Sequence, residues 1–85
     1  MTEMIDTPKL KILIEAGSVH HLSVRGIPGG WVLVAKVGSG ERILHAQRGQ
    51  VRVFRTLDGV AGFSRECGVR KLDVDMAGYS TESLL

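Results

Sequence analysis

An α+β fold, a single antiparallel-rich mixed sheet with helices packed on it, is predicted by three features of this 85-residue chain. Leu10, Leu13 and Ile14 recur at the three-and-four spacing of one helical face. From Ser18 the apolar period falls to two and stays there through several turn-bounded segments. A second short helical pattern follows residues 50–54 and leads into another alternating stretch, Leu72, Val74 and Met76. The predicted order is α-β-β-β-β-α-β, a meander followed by a crossover that lays the last strand parallel to a neighbour.

Each element has its own signal. Residues 1–6 show no periodicity and read as a loose start. Thr7 is placed as a helix N-cap with Pro8 at the first helical position, and Gly17 supplies the left-handed residue that ends a helix over 8–16. His20, Leu22 and Val24 share one side of the first predicted strand, and Pro28-Gly29-Gly30 reverses it. Residues 31–37 are apolar except for Lys36, the pattern of a central strand covered on both faces or lying at a subunit contact. Gly38-Ser39-Gly40 turns the chain into a third strand over 41–46, and Arg48-Gly49 turns it into a fourth over 50–54. The second helix starts near Thr56 or Asp58, with Leu57, Val60, Ala61, Ser64 and Cys67 on one face. Gly59 and Gly62 each cost it about 1 kcal/mol relative to alanine, so tertiary contacts must hold it. Gly68 closes it. Residues 70–76 form a strand with one wet face, and 79–85 read as a loose tail.

Composition sets the class. With 44% apolar and 24% charged residues the chain is a globular protein, expected as one domain over 1–85. A domain of this size buries only about 60 to 65% of the surface its unfolded chain exposes, so self-association, as a homo-oligomer, is expected. Net charge is +2, but residues 41–71 carry seven Arg or Lys against three acids. Cys67 is the sole cysteine, which excludes an internal disulfide and a cysteine zinc site and fits a reducing cytoplasm. No stretch approaches the roughly 18 apolar residues of a membrane span, so a cytoplasmic protein without a membrane partner is expected.

Catalytic, cofactor and metal sites are not expected. His20 and His21 are adjacent on a strand, so their rings point to opposite faces and cannot share an ion. The glycine groups at 26–30 and 38–40 link strand to strand, whereas a phosphate-cradling loop needs a helix N-terminus directly after it. Ser39 and Ser64 have no base beside them in sequence. Asp73 and Asp75 share a strand face, where alternating acids solubilise. The basic residues Arg42, Arg48, Arg52 and Arg55 are the candidate binding residues. Antiparallel third and fourth strands would gather them, with Phe54 between, on a surface able to neutralise nucleic-acid phosphates.

Residues 13–17 (Leu-Ile-Glu-Ala-Gly), Pro28-Gly29-Gly30-Trp31, Glu41-Arg42, 50–57 (Gln-Val-Arg-Val-Phe-Arg-Thr-Leu) and 72–75 (Leu-Asp-Val-Asp) together resemble the small ParC-family partition-associated proteins of plasmids and other mobile elements. That family is distinct from the topoisomerase subunit of the same name. The resemblance spans about residues 11–79. It implies a non-catalytic binding protein in plasmid or mobile-element maintenance, with a partition protein or a toxin as partner. Similar longer proteins carry an antitoxin-like tail after this domain, which implies toxin binding as an alternative role. A second likeness, resting on the strand-Phe54-Arg55-Thr56-Leu57-helix pattern, is to the sheet-type DNA-binding arm domains of integrases.

Overall fold

The computed structural model describes residues 3–46 and 49–81. Along the chain lie β1 (Glu3–Ile5), α1 (Thr7–Glu15), β2 (Val19–Ile27), β3 (Gly30–Val37), β4 (Gly40–Leu44), α2 (Leu57–Glu66) and β5 (Asp73–Asp75). The strands form one mixed sheet in the order β1-β4-β3-β2-β5. Its centre is the antiparallel meander β2-β3-β4, and β1 and β5 are added in parallel at the two edges. The α+β class is as expected; the element order is not, and becomes β-α-β-β-β-α-β.

Turn chemistry explains where the meander reverses. Gly29 and Gly38 take positive φ, 82° and 60°, at the β2-β3 and β3-β4 turns, a conformation open to glycine because no Cβ meets the following carbonyl. At its N-terminus α2 is capped by Thr56, whose side chain accepts the Gly59 N–H at 3.0 Å. The cap of α1 is Asp6 and not Thr7: its carboxylate accepts the Lys9 N–H at 2.9 Å. The Ile5 carbonyl is committed to the His45 N–H at 2.9 Å, which leaves Asp6 alone to make the passage from strand to helix.

Three further expectations are corrected. Residues 3–5 are not loose but form β1, in register with β4 through Glu3–Arg42, Met4–Ile43 and Ile5–Leu44. Residues 50–54 do not form a regular fourth strand. Val51 bridges His45, while Phe54 bridges Trp31 and exchanges both backbone hydrogen bonds with it at 2.8 Å. The Arg52 N–H donates to the Leu44 carbonyl at 3.0 Å. This segment therefore fills the fork where β3 and β4 part beyond Val34–Ile43, changing partner midway, so no ladder forms on either side. The third correction is at 79–81. Tyr79 stacks on Trp31 with ring centroids 4.6 Å apart, and the Gly29 N–H donates to the Ser80 carbonyl at 2.9 Å.

Both helices pack on one face of the sheet. Leu10 of α1 and Val60 of α2 join Ile5, Leu22, Val24, Trp31, Leu33, Ala35, Leu44 and Phe54 in a single core. Leu13, Ile14 and Phe63 fill its margins. Side chains alternate along a strand, so Val32 and Val34 of β3 point the other way, to a face on which no helix of the described residues packs.

Candidate interaction surface

The uncovered face can be read from the register. Met4, Ile43 and Val34 lie side by side across β1, β4 and β3, with Ser23 beyond them on β2 and Asp73 on β5. Val32 pairs with Arg25, and Arg25 in turn with Asp75. Val51 and Val53 fall on the same face, because Phe54 between β3 and β4 shares the side of Trp31. Val32 and Val34 are buried even so. Arg25 on β2 and Glu41 on β4 form an ion pair of 2.6 Å that crosses β3. Arg25 is level with Val32 and Glu41 with Lys36, which puts Val34 under the middle of the pair. Long charged side chains covering apolar surface with their stems do so while their heads stay wet.

Beside this roofed centre the face is open and apolar. Met4, Val51 and Val53 are 49%, 41% and 49% exposed, and Ile43 and Ile27 are half-buried next to them. Its charged residues have both signs: Arg25, Lys36 and Arg55, the last beside Ile27 and Val53, against Glu41, Asp73 and Asp75. The arrangement suits contact with another protein surface, an apolar centre with a polar rim. It suits a polyanion poorly, because three carboxylates face outward there.

The predicted arginines have separate surroundings. Arg42 forms an ion pair with Glu3, its register partner on β1. Arg52 lies over two aromatic rings, its guanidinium carbon 4.6 Å from the Phe54 centroid and 4.7 Å from that of Phe63. It lines a cleft with Asp6, Thr7, Pro8 and His45 at the start of α1. Arg55 lines a different cleft with Ile27, Pro28, Gly29 and Val53. Arg48 lies outside the described residues. Arg52 and Arg55 thus open onto different clefts, and Arg42 onto a third with Met4, Lys9 and Ile12.

The remaining chemical candidates have structural explanations. His21 contacts the Asp73 carboxylate and ties β5 to β2, while the bulge between Val19 and His21 leaves His20 exposed beside it. Among the described residues no three His, Cys, Asp or Glu side chains are placed to hold a metal. The Ser64 hydroxyl, 1% exposed, donates to the Val60 carbonyl at 2.8 Å and is used up inside α2. Ser39 is exposed in the β3-β4 turn. Burial pushes the Cys67 thiol up, against a smaller lowering influence of Lys11, so it stays protonated at neutral pH and is a poor nucleophile. No helix of the described residues is long and apolar enough to cross a membrane.

Sequence reasoning missed Val51, Val53 and Arg25 as surface-defining residues. The signal was the two-sided apolarity of 31–37 combined with only two short helices, one too few layers to cover both sides. A family model described as ParC-like matches residues 5–83. No curated protein and no solved structure matches the chain.

Proposed function

The chain belongs to the ParC-like family, and from that premise we propose that it is a cytoplasmic, non-catalytic binding protein of plasmid or mobile-element maintenance, acting in partition through protein contact at the open face of its sheet. The family supports the setting. The observation that carries the mode of action is the uncovered face itself, with Met4, Val51 and Val53 exposed and Arg25–Glu41 spanning β3. Exposed apolar side chains grouped inside a polar rim are how soluble proteins present a partner site. The predicted DNA contacts, by comparison, are divided among an ion pair, an aromatic stack and a cleft that Arg55 lines with Ile27 and Val53 at the border of the open face.

The test is plasmid retention without selection. Removing the gene from its replicon is expected to raise the loss rate, wild-type protein supplied in trans to restore retention, and the face variant Val51→Lys/Val53→Lys to fail. Retention that does not depend on the gene would overturn the setting. Full rescue by the face variant, combined with weaker DNA binding and a smaller salt slope in the folded Arg52→Ala/Arg55→Ala protein, would overturn the mode of action in favour of DNA contact.

A further inference from the structure

We infer that a second copy of this chain covers the open sheet face, the two sheets packing face to face in an isologous dimer. This rests on the reading of that face as a protein-contact surface and names its occupant. Three observations favour a second copy.

The first is size. Five strands about 4.8 Å apart, the longest of nine residues, give the sheet a face of at most about 24 by 30 Å, on the order of 700 Å², near the roughly 800 Å² per partner of a standard stable interface. The second is charge. A two-fold contact sets every charge on the face against the same set on the partner. Arg25, Lys36 and Arg55 against Glu41, Asp73 and Asp75 cancel in number, so the face meets its copy without large repulsion. A strongly charged partner of either sign would gain little from it. The two apolar clusters, Met4 with Ile43 and Val51 with Val53, lie on the β1-β4-β3 half, and the carboxylates Asp73 and Asp75 lie at the β5 margin. That leaves an apolar area with acids at one side, as a contact between copies requires.

The third is exclusion of the other symmetric route, pairing at sheet edges. Antiparallel β5-β5 pairing about Val74 would set Asp73 against the partner's Asp75 and group four carboxylates on one side of the joint sheet. Charged residues on an edge strand block this kind of pairing. Among the described residues the β1 edge has three in strand, short for a joint sheet.

Sedimentation velocity from low micromolar to several hundred micromolar protein tests the proposal on the intact chain. A concentration-dependent dimer is expected. Val51→Lys/Val53→Lys is expected to raise the dissociation constant by about tenfold or more, since each desolvated anchor carries an outsized share of binding. Ile12→Lys, on the exposed side of α1, is expected to leave it unchanged. Should the double variant fail to fold, methyl NMR of the wild-type protein on dilution gives the same answer. Methyls of Ile43, Val51 and Val53 should shift while those of Ile12 and Leu57 hold. A monomer at every concentration, shifts confined to the helix side, or an unaltered dissociation constant in the folded double variant would each overturn the second copy. A monomeric wild type whose plasmid retention still depends on Val51 and Val53 would remove the dimer and leave the protein-contact reading standing.

Discussion

The two faces of the central strand β3 hide their side chains equally well and by different means. On the helix side Leu33 is 1% exposed, beneath Leu10, Val60 and their neighbours. On the other side Val34 is 2% exposed, yet the groups above it are Arg25 and Glu41, whose own side chains are 41% and 36% exposed. Equal burial therefore does not mean equal packing. One cover is a rigid layer of apolar side chains that leaves a cavity when an atom is removed. The other is a pair of long, hydrated chains that can settle into any gap. The closed face determines stability, and the open one is free to bind.

The largest expected effects test that contrast. Leu33→Ala should destabilise the fold by about 2 to 5 kcal/mol, the cost of lost transfer free energy plus an unrelaxed cavity. A matched pair isolates the cover from the residue type. Val24, fully buried on the helix side, should lose about 2 to 3 kcal/mol on truncation to alanine, and Val34 about 1 kcal/mol. Urea denaturation at one low protein concentration measures all three. Equal losses at Val24 and Val34 would break the comparison.

A second effect sits at a corner of the closed face. A Cβ added to Gly26 would lie 2.5 Å from the Tyr79 Cβ and 3.0 Å from its Cα and N, and one added to Gly78 would lie 2.6 Å from the Gly26 carbonyl oxygen. The chain after β5 thus reaches Trp31 only because two glycines let the backbones meet. Gly26→Ala is expected to cost about 1 to 3 kcal/mol and to displace Tyr79 from Trp31. Trp31 is the sole tryptophan, so its emission should move to the red. An unchanged spectrum would show that the strap adjusts around the methyl group.

What the sequence revealed of this design follows the range of each interaction. Thr56, Gly17, Gly68 and the Pro28-Gly29 and Gly38-Ser39 turns are local devices, and they were legible because their physics lies within a few residues. β1 was not. Its three residues have no period of their own, and their pairing with Arg42, Ile43 and Leu44 comes from a segment about forty positions away. The alternation of 50–54 was real, since Arg52 and Phe54 share one side and Val51 and Val53 the other. It could not reveal that the segment changes neighbour between β4 and β3. The candidate site was half legible: surplus apolarity in 31–37 implied an uncovered face. Which charges would line it depended on register, and of the basic residues that stood out in sequence Arg42 and Arg52 lie on the helix side while Arg55 borders the open face beside Ile27 and Val53.

Arg52 and Arg25 extend the contrast to charged residues. Arg52 stacks on Phe54 and Phe63 at the margin of the core, so Arg52→Ala should cost about 1 to 2 kcal/mol, with little dependence on salt because much of the loss is stacking and stem contact. Glu41→Gln breaks the partly exposed pair with Arg25 and should cost about 0 to 1 kcal/mol, an effect that shrinks further in high salt. Thermal melts of both variants at low and high salt would separate them. A strongly salt-dependent Arg52 variant would mean that its charge, and not its contact with the rings, does the stabilising.

A last effect, below about 1 kcal/mol like that of Glu41→Gln, has the opposite sign and concerns how the closed face is built. α2 is held by what it touches, through Val60, Phe63, Ser64 and Cys67, and its interior contains Gly59 and Gly62, which weaken it as a helix. Gly62 has no positive φ, and a Cβ built on it meets nothing within 4 Å. Gly62→Ala should therefore stabilise the protein by about 0.4 to 1 kcal/mol, through the narrower unfolded ensemble and the better propensity. Gly59 differs by one contact. Its added Cβ would lie 3.1 Å from the Thr56 Oγ1, the atom that accepts its own N–H and caps the helix. Crowding the cap offsets the entropic gain, so Gly59→Ala should gain less than Gly62→Ala. Denaturation midpoints of the two variants against wild type give the ranking. If Gly62→Ala instead destabilised the fold, α2 would be packed against something on its outer side, and the wall of the closed face would itself be a contact surface.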